Sequence, residues 1–448
     1  MNKISLLSLL LLLLSFNCQI FSQEADKKVL QLLDRHDYFT LDQQFPALEK
    51  EMQDMPLKLV AKSTLEIKFN RPQDALLTMD SLSNTYQSEM AIVMVTDLIY
   101  TYLTQLEEIQ EYNRAYNILQ NFLKSASSHL SNDILTVFHS LEKHLFLLKD
   151  EQKTEVTKPV NGGQIPLGKF EMTVIDHSTG LSKINPPIPI IKVQIAGQEY
   201  IFMFDTGAEK SILFNHITGS MNLKKFENQY IIQGFGGGET AHLAILQDSL
   251  LLGNIKFMNT PVYVSDNYFK KSFPNMQGDL NAIGGVIGID LIKKLGEIEI
   301  LPNEKKIIVP YNENKQPAFG KNILFDFNNK LIVSTSINNE TVHLQIDTGS
   351  DITRLLKPYY AKWEEKIKSE YAKESHTEFG LGFTEGEKYL IPSLQIKIGN
   401  SVASMENVSV YPDSSTNNAL IEGLLGMDFV YRCKKIILNM NKMFMSFE

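Results

Sequence analysis

Along residues 24–150 apolar positions recur at three-and-four spacing. VLQLLDRHDYF, LKLVAKSTLEIKF, AIVMVTDLIYTYLTQL and ILTVFHSLEKHLFLL each carry a stripe that fits one face of a helix. The stripes break at FNRPQDA and LKSASSHLSND, where Asn70 ahead of Pro72 and the Ser/Asn clusters read as helix starts. From Asp150 to Leu167 the text turns polar, EQKTEVTKPVNGGQIPL, with prolines and a glycine pair, and reads as a linker. Beyond it, short β-type runs punctuated by Gly, Asn and Pro predict an all-β architecture. The expected division is an all-α domain over 23–150, a linker over 151–166, and a β region in two parts, 167–313 and 314–448.

The first 22 residues stand apart from this pattern. MNKISLLSLLLLLLSFNCQIFSQ has one early lysine, an apolar stretch from Ile4 to Leu14, then a polar end with small residues. That is the layout of a secretory signal, and the stretch falls short of the roughly 20 residues that span a bilayer. Cleavage after Ser22 predicts an exported protein, periplasmic or secreted, without a transmembrane segment. Cys18 raises a second reading, a lipid anchor through that cysteine, against which Phe16 and Asn17 are poor neighbours for lipid attachment.

In the helical part, KFNRPQDALLTMDSL and the stretch from Tyr112 to Lys124 share an Asn-Arg start. They resemble the helix hairpins of tetratricopeptide repeats, which would offer a surface to a protein partner; a plain bundle fits the same stripes.

The β region repeats itself. VQIAGQEYIFMFDTGA (193–208) lies over TSINNETVHLQIDTGS (335–350) without a gap, at an offset of 142. Each is a strand, a short turn at Gly197 or Asn338-Asn339, and a strand running into Asp-Thr-Gly. Further on, 234–254 lies over 380–400 with Gly234, Gly236 and Gly253 matching Gly380, Gly382 and Gly399. Finally GVIGIDLIKKLGEIEILPNEKK (285–306) lies over GLLGMDFVYRCKKIILNMNKMF (423–444). Three shared blocks in the same order make the second half a copy of the first.

Composition narrows the function classes. The chain of 448 residues is 43% hydrophobic and 21% charged, as a protein with a proper core is. A formal charge of -9 and no long basic run argue against nucleic acid or an anionic membrane as partner. After cleavage at Ser22 Cys433 alone remains, so no internal disulfide forms; flanked by VYR and KKIIL, it reads as a small buried hydrophobe. No zinc or phosphate-loop motif is present, so no cofactor is expected.

Asp-Thr-Gly occurs twice, at Asp205-Thr206-Gly207 and Asp347-Thr348-Gly349. Chance supplies on the order of 0.1 occurrences in a chain this long. Two structural turns would give no reason for both to follow apolar strands. About 80 residues after each comes a pair of hydrophobics and a glycine, Val286-Ile287-Gly288 and Leu424-Leu425-Gly426. With these motifs residues 185–448 resemble the aspartic proteases, in the bilobal layout of pepsins with motifs closer to retropepsins. The resemblance implies an all-β bilobal fold with internal duplication, a peptide or protein substrate, a monomer, and a catalytic pair Asp205 and Asp347.

Amide hydrolysis by water needs a base for the water and an acid for the carbonyl oxygen. Two neighbouring carboxyls that share one proton supply both, as aspartic proteases themselves illustrate. Gly207 and Gly349 leave room for close backbone approach. The resemblance further implies that Thr206 and Thr348 hydrogen-bond to the opposite loop's backbone. Ala208 and Ser350 differ at the fourth position. A serine hydroxyl there can donate to a carboxylate and alanine cannot, which predicts an optimum less acidic than that of gastric enzymes. Where the family places a flap over its cleft, this chain has Gly234, Phe235 and Gly236, with Leu381 matching Phe235 in the second copy; whether one flap or two operate is open. Trp363, in YYAKWEEKIKSEYAK, reads as part of a surface helix. Two further readings stay open: a non-catalytic peptide-binding protein with the same cleft, and a helical segment that is a propeptide.

Overall fold

The computed structural model describes residues 24–86, 90–176, 180–234, 237–266, 276–277, 282–379, 383–414, 418 and 420–448. Of the expected features, the signal segment with Cys18, Phe235, Gly236 and Leu381 lie outside the described residues. The chain divides into two compact units, Met1–Lys153 and Thr154–Glu448.

The first unit is helical: Glu24–Asp34, Tyr38–Glu51, Met55–Lys68, Pro72–Tyr86, Ile92–Glu108, Tyr112–Ala126 and Asn132–Leu148. The turn after Asp34 recurs after Lys68 and Glu108. A left-handed residue sits in each, His36, Asn70 and Gln110, with φ of 55°, 55° and 58°. The next N–H then bonds five residues back, Asp37 to Leu32, Arg71 to Glu66 and Glu111 to Leu106, at 2.9, 2.7 and 2.8 Å. That is the Schellman way of ending a helix, and it satisfies carbonyls the helix would otherwise leave bare. Asn70 therefore closes one helix rather than starting the next. Its structural match is Gln110; Asn113 and Arg114, which the sequence aligned with Asn70 and Arg71, lie inside a helix. The fourth residue of each following helix, Leu41, Ala75 and Ala115, is fully buried, so the hairpins pack alike. Ser131 does cap the last helix, accepting from the Ile134 N–H. No helix among the described residues is long and apolar enough to cross a membrane.

In the second unit the polar stretch expected to be a linker is partly strand. Glu155–Thr157 pairs with Ile255–Met258, and residues 163–166, the start of Gly163–Asp176, pair with Lys306–Val309. Ile165 is fully buried there. Alternation with Gln164 and Pro166 hides that single apolar anchor from a run-based reading.

The two copies fold alike. The strand Gln198–Phe204 runs parallel to Ile283–Ile287, which lies antiparallel to Ile212–Phe214. In the second copy Glu340–Ile346 runs parallel to Gly423–Leu425, which lies antiparallel to Arg354–Leu355. Each hydrophobic-hydrophobic-Gly segment is thus threaded between the strand entering its Asp-Thr-Gly turn and the strand leaving it. Around the first thread Met203, Ile212, Phe214, Ile283 and Val286 form a buried cluster with Ile188.

The copies are also joined strand to strand. Glu297–Leu301 of the first pairs antiparallel with Ile436–Asn439 of the second, Ile298 opposite Leu438 and Glu299 opposite Ile437. Cys433 is buried, with its thiol against the Phe429 carbonyl, and burial pushes its pKa up to about 12. It behaves as the small hydrophobe its flanks predict. Trp363 is half-buried at a break in the helix Lys357–Glu370, whose inner face is Tyr359 and Ile367.

In the helical unit Asp97 is 3% exposed, and neither carboxyl oxygen has a hydrogen-bond partner among the described residues. Burial pushes its pKa up to about 7. The folded state therefore holds this proton more tightly than the unfolded chain does. This contribution is intact below the ordinary carboxylate range, is lost as pH rises from there to about 7, and then levels off. Asp97→Asn should leave thermal unfolding near pH 4 almost unchanged and stabilise the protein by about 1–2 kcal/mol at pH 8. A gap between wild type and variant that is the same at both pH values would contradict this origin.

Candidate active site

Each Asp-Thr-Gly turn is seated by the strand threaded behind it. The Asp205 N–H donates to the Ile287 carbonyl at 3.0 Å, and the Asp347 N–H to the Leu425 carbonyl at 3.1 Å. The apolar residues before each aspartate, Phe202 and Phe204 or Leu344 and Ile346, are buried and fix the strand in register. The aspartates come up at the strand ends, each half-buried.

The turns face one another and interlock. The Thr206 hydroxyl accepts from the Thr348 N–H (3.1 Å) and donates to the Ile346 carbonyl (2.8 Å). Reciprocally, the Thr348 hydroxyl accepts from the Thr206 N–H (3.0 Å) and donates to the Phe204 carbonyl (2.7 Å). Both threonines are buried, 1% and 2% exposed. Four hydrogen bonds in a dry site hold the turns at one spacing.

That spacing brings each carboxyl against the opposite glycine. A Cβ on Gly207 would lie 2.2 Å from Asp347 Oδ1, and one on Gly349 2.5 Å from Asp205 Oδ2. Any residue larger than glycine at either of these two positions would collide with the facing carboxylate. Asp205 Oδ1 accepts from the N–H groups of Gly207 (2.8 Å) and Ala208 (3.2 Å); Asp347 Oδ1 accepts from Gly349 (3.0 Å). Burial and the neighbouring Asp347 charge raise the Asp205 pKa well above the ordinary carboxylate range. The N–H donors and Lys330 pull the other way.

Ser350 departs from expectation. Its hydroxyl donates to the Ile352 carbonyl (3.0 Å) and accepts from Arg354 (3.0 Å), and its N–H donates to the Asp347 main-chain carbonyl. The hydroxyl is turned away from the carboxyl, drawn off by the guanidinium, so the contrast with Ala208 does not set the acidity of the pair. Gly234 lies opposite Gly237 at the end of the hairpin Leu223–Gly234 and Gly237–Leu246. The second copy has the matching hairpin, Lys373–Phe379 and Phe383–Ile398.

The sequence reading missed a brace under each turn. Ser211 donates from its N–H (3.1 Å) and hydroxyl (2.7 Å) to Asp290, and its hydroxyl accepts from the Gly288 N–H (3.0 Å). Thr353 does the same to Asp428 (2.7 and 2.6 Å) and accepts from the Gly426 N–H (3.1 Å). Burial raises the pKa of both acids. The signal was present: a hydroxyl six residues past each Asp-Thr-Gly aspartate, and an acid two past each motif glycine.

A family model described as aspartyl protease matches residues 191–291. That span holds the first Asp-Thr-Gly turn and the strand behind it. Curated proteins return no match. Among solved structures, basic 7S globulin from soybean is similar at 11% identity and TM-score 0.41, over 65% of this chain and 97% of its own. An aspartic proteinase from Irpex lacteus is similar at 10% and 0.38, over 64% and 96%. Conglutin gamma, a basic 7S globulin from lupine seeds, is similar at 10% and 0.40, over 66% and 95%. The chain is a helical region followed by a β-rich domain with an aspartic-protease-like fold.

Thr206→Val and Thr348→Val keep the shape of the side chain and remove its two hydrogen bonds. Each leaves a buried N–H and a buried carbonyl unpaired, and should cost about 2–4 kcal/mol in denaturant unfolding. The double variant should lose less than the sum, because the first loss already lets the turns part. Losses below about 0.5 kcal/mol would show that the interlock does not hold the turns.

Proposed function

We propose that the β-rich unit is an aspartic endopeptidase whose two copies form lobes, residues 167–313 and 314–448, each contributing one aspartate to a shared site. The observation that carries this reading is the reciprocal seating of Asp205 and Asp347 against the opposite glycines. Two carboxyls so placed cannot both ionise easily, and the pair holds one proton at working pH. The ionised member takes a proton from a water between them as that water attacks the peptide carbonyl. The protonated member donates to the carbonyl oxygen. A tetrahedral diol forms and collapses, the amine leaving with a proton returned by the pair. Titration belongs to the two groups jointly.

Gly207 and Gly349 admit the carboxyls, Thr206 and Thr348 fix their spacing, and the peptide N–H groups of Gly207, Ala208 and Gly349 hold their orientation. Gly234, at the end of its hairpin in the first lobe, belongs to a flap over the cleft. The N-terminal segment directs export, and the helix hairpins form a tetratricopeptide-like module that receives a protein partner. The enzyme acts as a monomer on peptides or proteins and uses no cofactor.

Purified protein incubated with a diverse peptide mixture from pH 3 to 8 tests the reading beside Asp205→Asn and Asp347→Asn. Wild type should cleave, and each variant should lose activity by about 10³-fold. Equal cleavage, or none, in all three would overturn it.

A further inference from the structure

The two turns are alike in sequence and in their interlock, yet cations meet them differently: Arg354 bonds the Ser350 hydroxyl of the second, whereas Lys330 bonds a main-chain carbonyl of the first. Lys330 lies in the second copy, between Ile323–Phe325 and Leu331–Ile337, and its ammonium bonds the Gly207 carbonyl of the first at 2.6 Å. At the offset of 142 that relates the copies, the residue matching Lys330 is Ile188, which packs in the apolar cluster. The lysine is therefore not part of the duplicated plan.

Its position is fixed rather than casual. The Lys330 N–H donates to Asp326 Oδ1 (2.7 Å), and the Asp326 N–H to the Lys330 carbonyl (3.0 Å). Asp326, 5% exposed, also accepts from the Asn328 N–H and, through Oδ2, from the Asn418 amide (2.7 Å). A buried carboxylate thus closes the loop that presents the lysine.

The bond it makes is directional in its effect. The Gly207 carbonyl and the Ala208 N–H belong to one peptide unit, and that N–H donates to Asp205 Oδ1. A cation on the carbonyl oxygen draws electron density from the amide and makes its N–H a stronger donor. In the second turn the corresponding N–H, that of Ser350, donates to the main-chain carbonyl of Asp347 instead. Other charges nearby are committed elsewhere. Arg354 serves Ser350 and Asp351, Lys293 the Asn329 amide, and the buried Asp290 and Asp428 hold Ser211 and Thr353. Lys210 acts on Asp290. Asp347 and Lys330 are the main charges acting on Asp205.

We propose that Lys330 is a positioning residue of the aspartate pair: through the Gly207–Ala208 peptide it holds one negative charge on the pair and keeps the singly ionised state populated in more acidic solution. This rests on the peptidase reading above. Removal of the cation should raise both ionisations of the pair, so the acid limb of kcat/KM moves up in pH and the alkaline limb moves with it.

The test compares wild type, Lys330→Met and Lys330→Arg in two measurements. In the first, ¹³C-labelled aspartate carboxyls are titrated by NMR, with Asp205→Asn and Asp347→Asn spectra assigning the pair. Lys330→Met should titrate about one pH unit higher than wild type, and Lys330→Arg close to it. In the second, the kcat/KM profile of Lys330→Met should fall roughly tenfold at the acid end and rise by a similar factor at the alkaline end. A pair that titrates at the same pH in wild type and Lys330→Met overturns the proposal, whether or not either cleaves peptide. An equal loss of activity at every pH, without a shifted titration, would mark Lys330 as a structural strut only. Absence of cleavage in wild type would count against the peptidase reading, while the NMR titration still decides the role of Lys330.

Discussion

Everything in the β-rich unit turns on two threonine hydroxyls. Each accepts an N–H from the opposite turn and donates to a carbonyl of the strand entering it, and both lie out of water. Such bonds are costly to break because the freed groups find no substitute. Two turns that belong to separate copies of one motif thereby become a single object. The carboxyls inherit their proximity from that lock, and their shared electrostatics follow from proximity and burial. The threaded strands and the Ser211–Asp290 and Thr353–Asp428 braces carry the same rigidity backward into the two cores.

Symmetry supplies the pair, and departures from symmetry give its members different surroundings. Asp205 has two peptide donors, one backed by Lys330; Asp347 has one. Where the first copy places Ile188 and Ile212 in an apolar cluster, the second has Lys330 and Arg354. Arg354 engages Ser350 and turns its hydroxyl from the site. Duplication thus leaves the hydrogen-bonding frame intact and lets charge differ around it.

The architecture was legible because it is written twice. A helical stripe pattern giving way to β runs showed the order of the regions, and the aligned blocks marked the turns and the segments that thread behind them. What escaped has physical reasons. The strands at Glu155–Thr157 and from Gly163 carry little apolar signal of their own and form only against distant partners. Asn70 stands two residues ahead of a proline and reads as a helix start, whereas its left-handed backbone ends the helix before it. The Ser211 and Thr353 braces were recoverable from the internal repeat but only by asking which polar residues it retained. Lys330 leaves no local trace, since its partner is 123 residues away. Nor does sequence reveal that Ser350 prefers a carbonyl and a guanidinium to the carboxyl beside it.

The central claim is that Asp205 and Asp347 act on one oxygen. A crystal structure with a peptide that carries a secondary alcohol in place of the scissile carbonyl tests it most directly. The account predicts the alcohol oxygen within about 3 Å of both carboxyls, with the threonine interlock unchanged. An alcohol bound against one carboxyl alone, or aspartates too far apart to share a bridging water, would contradict it.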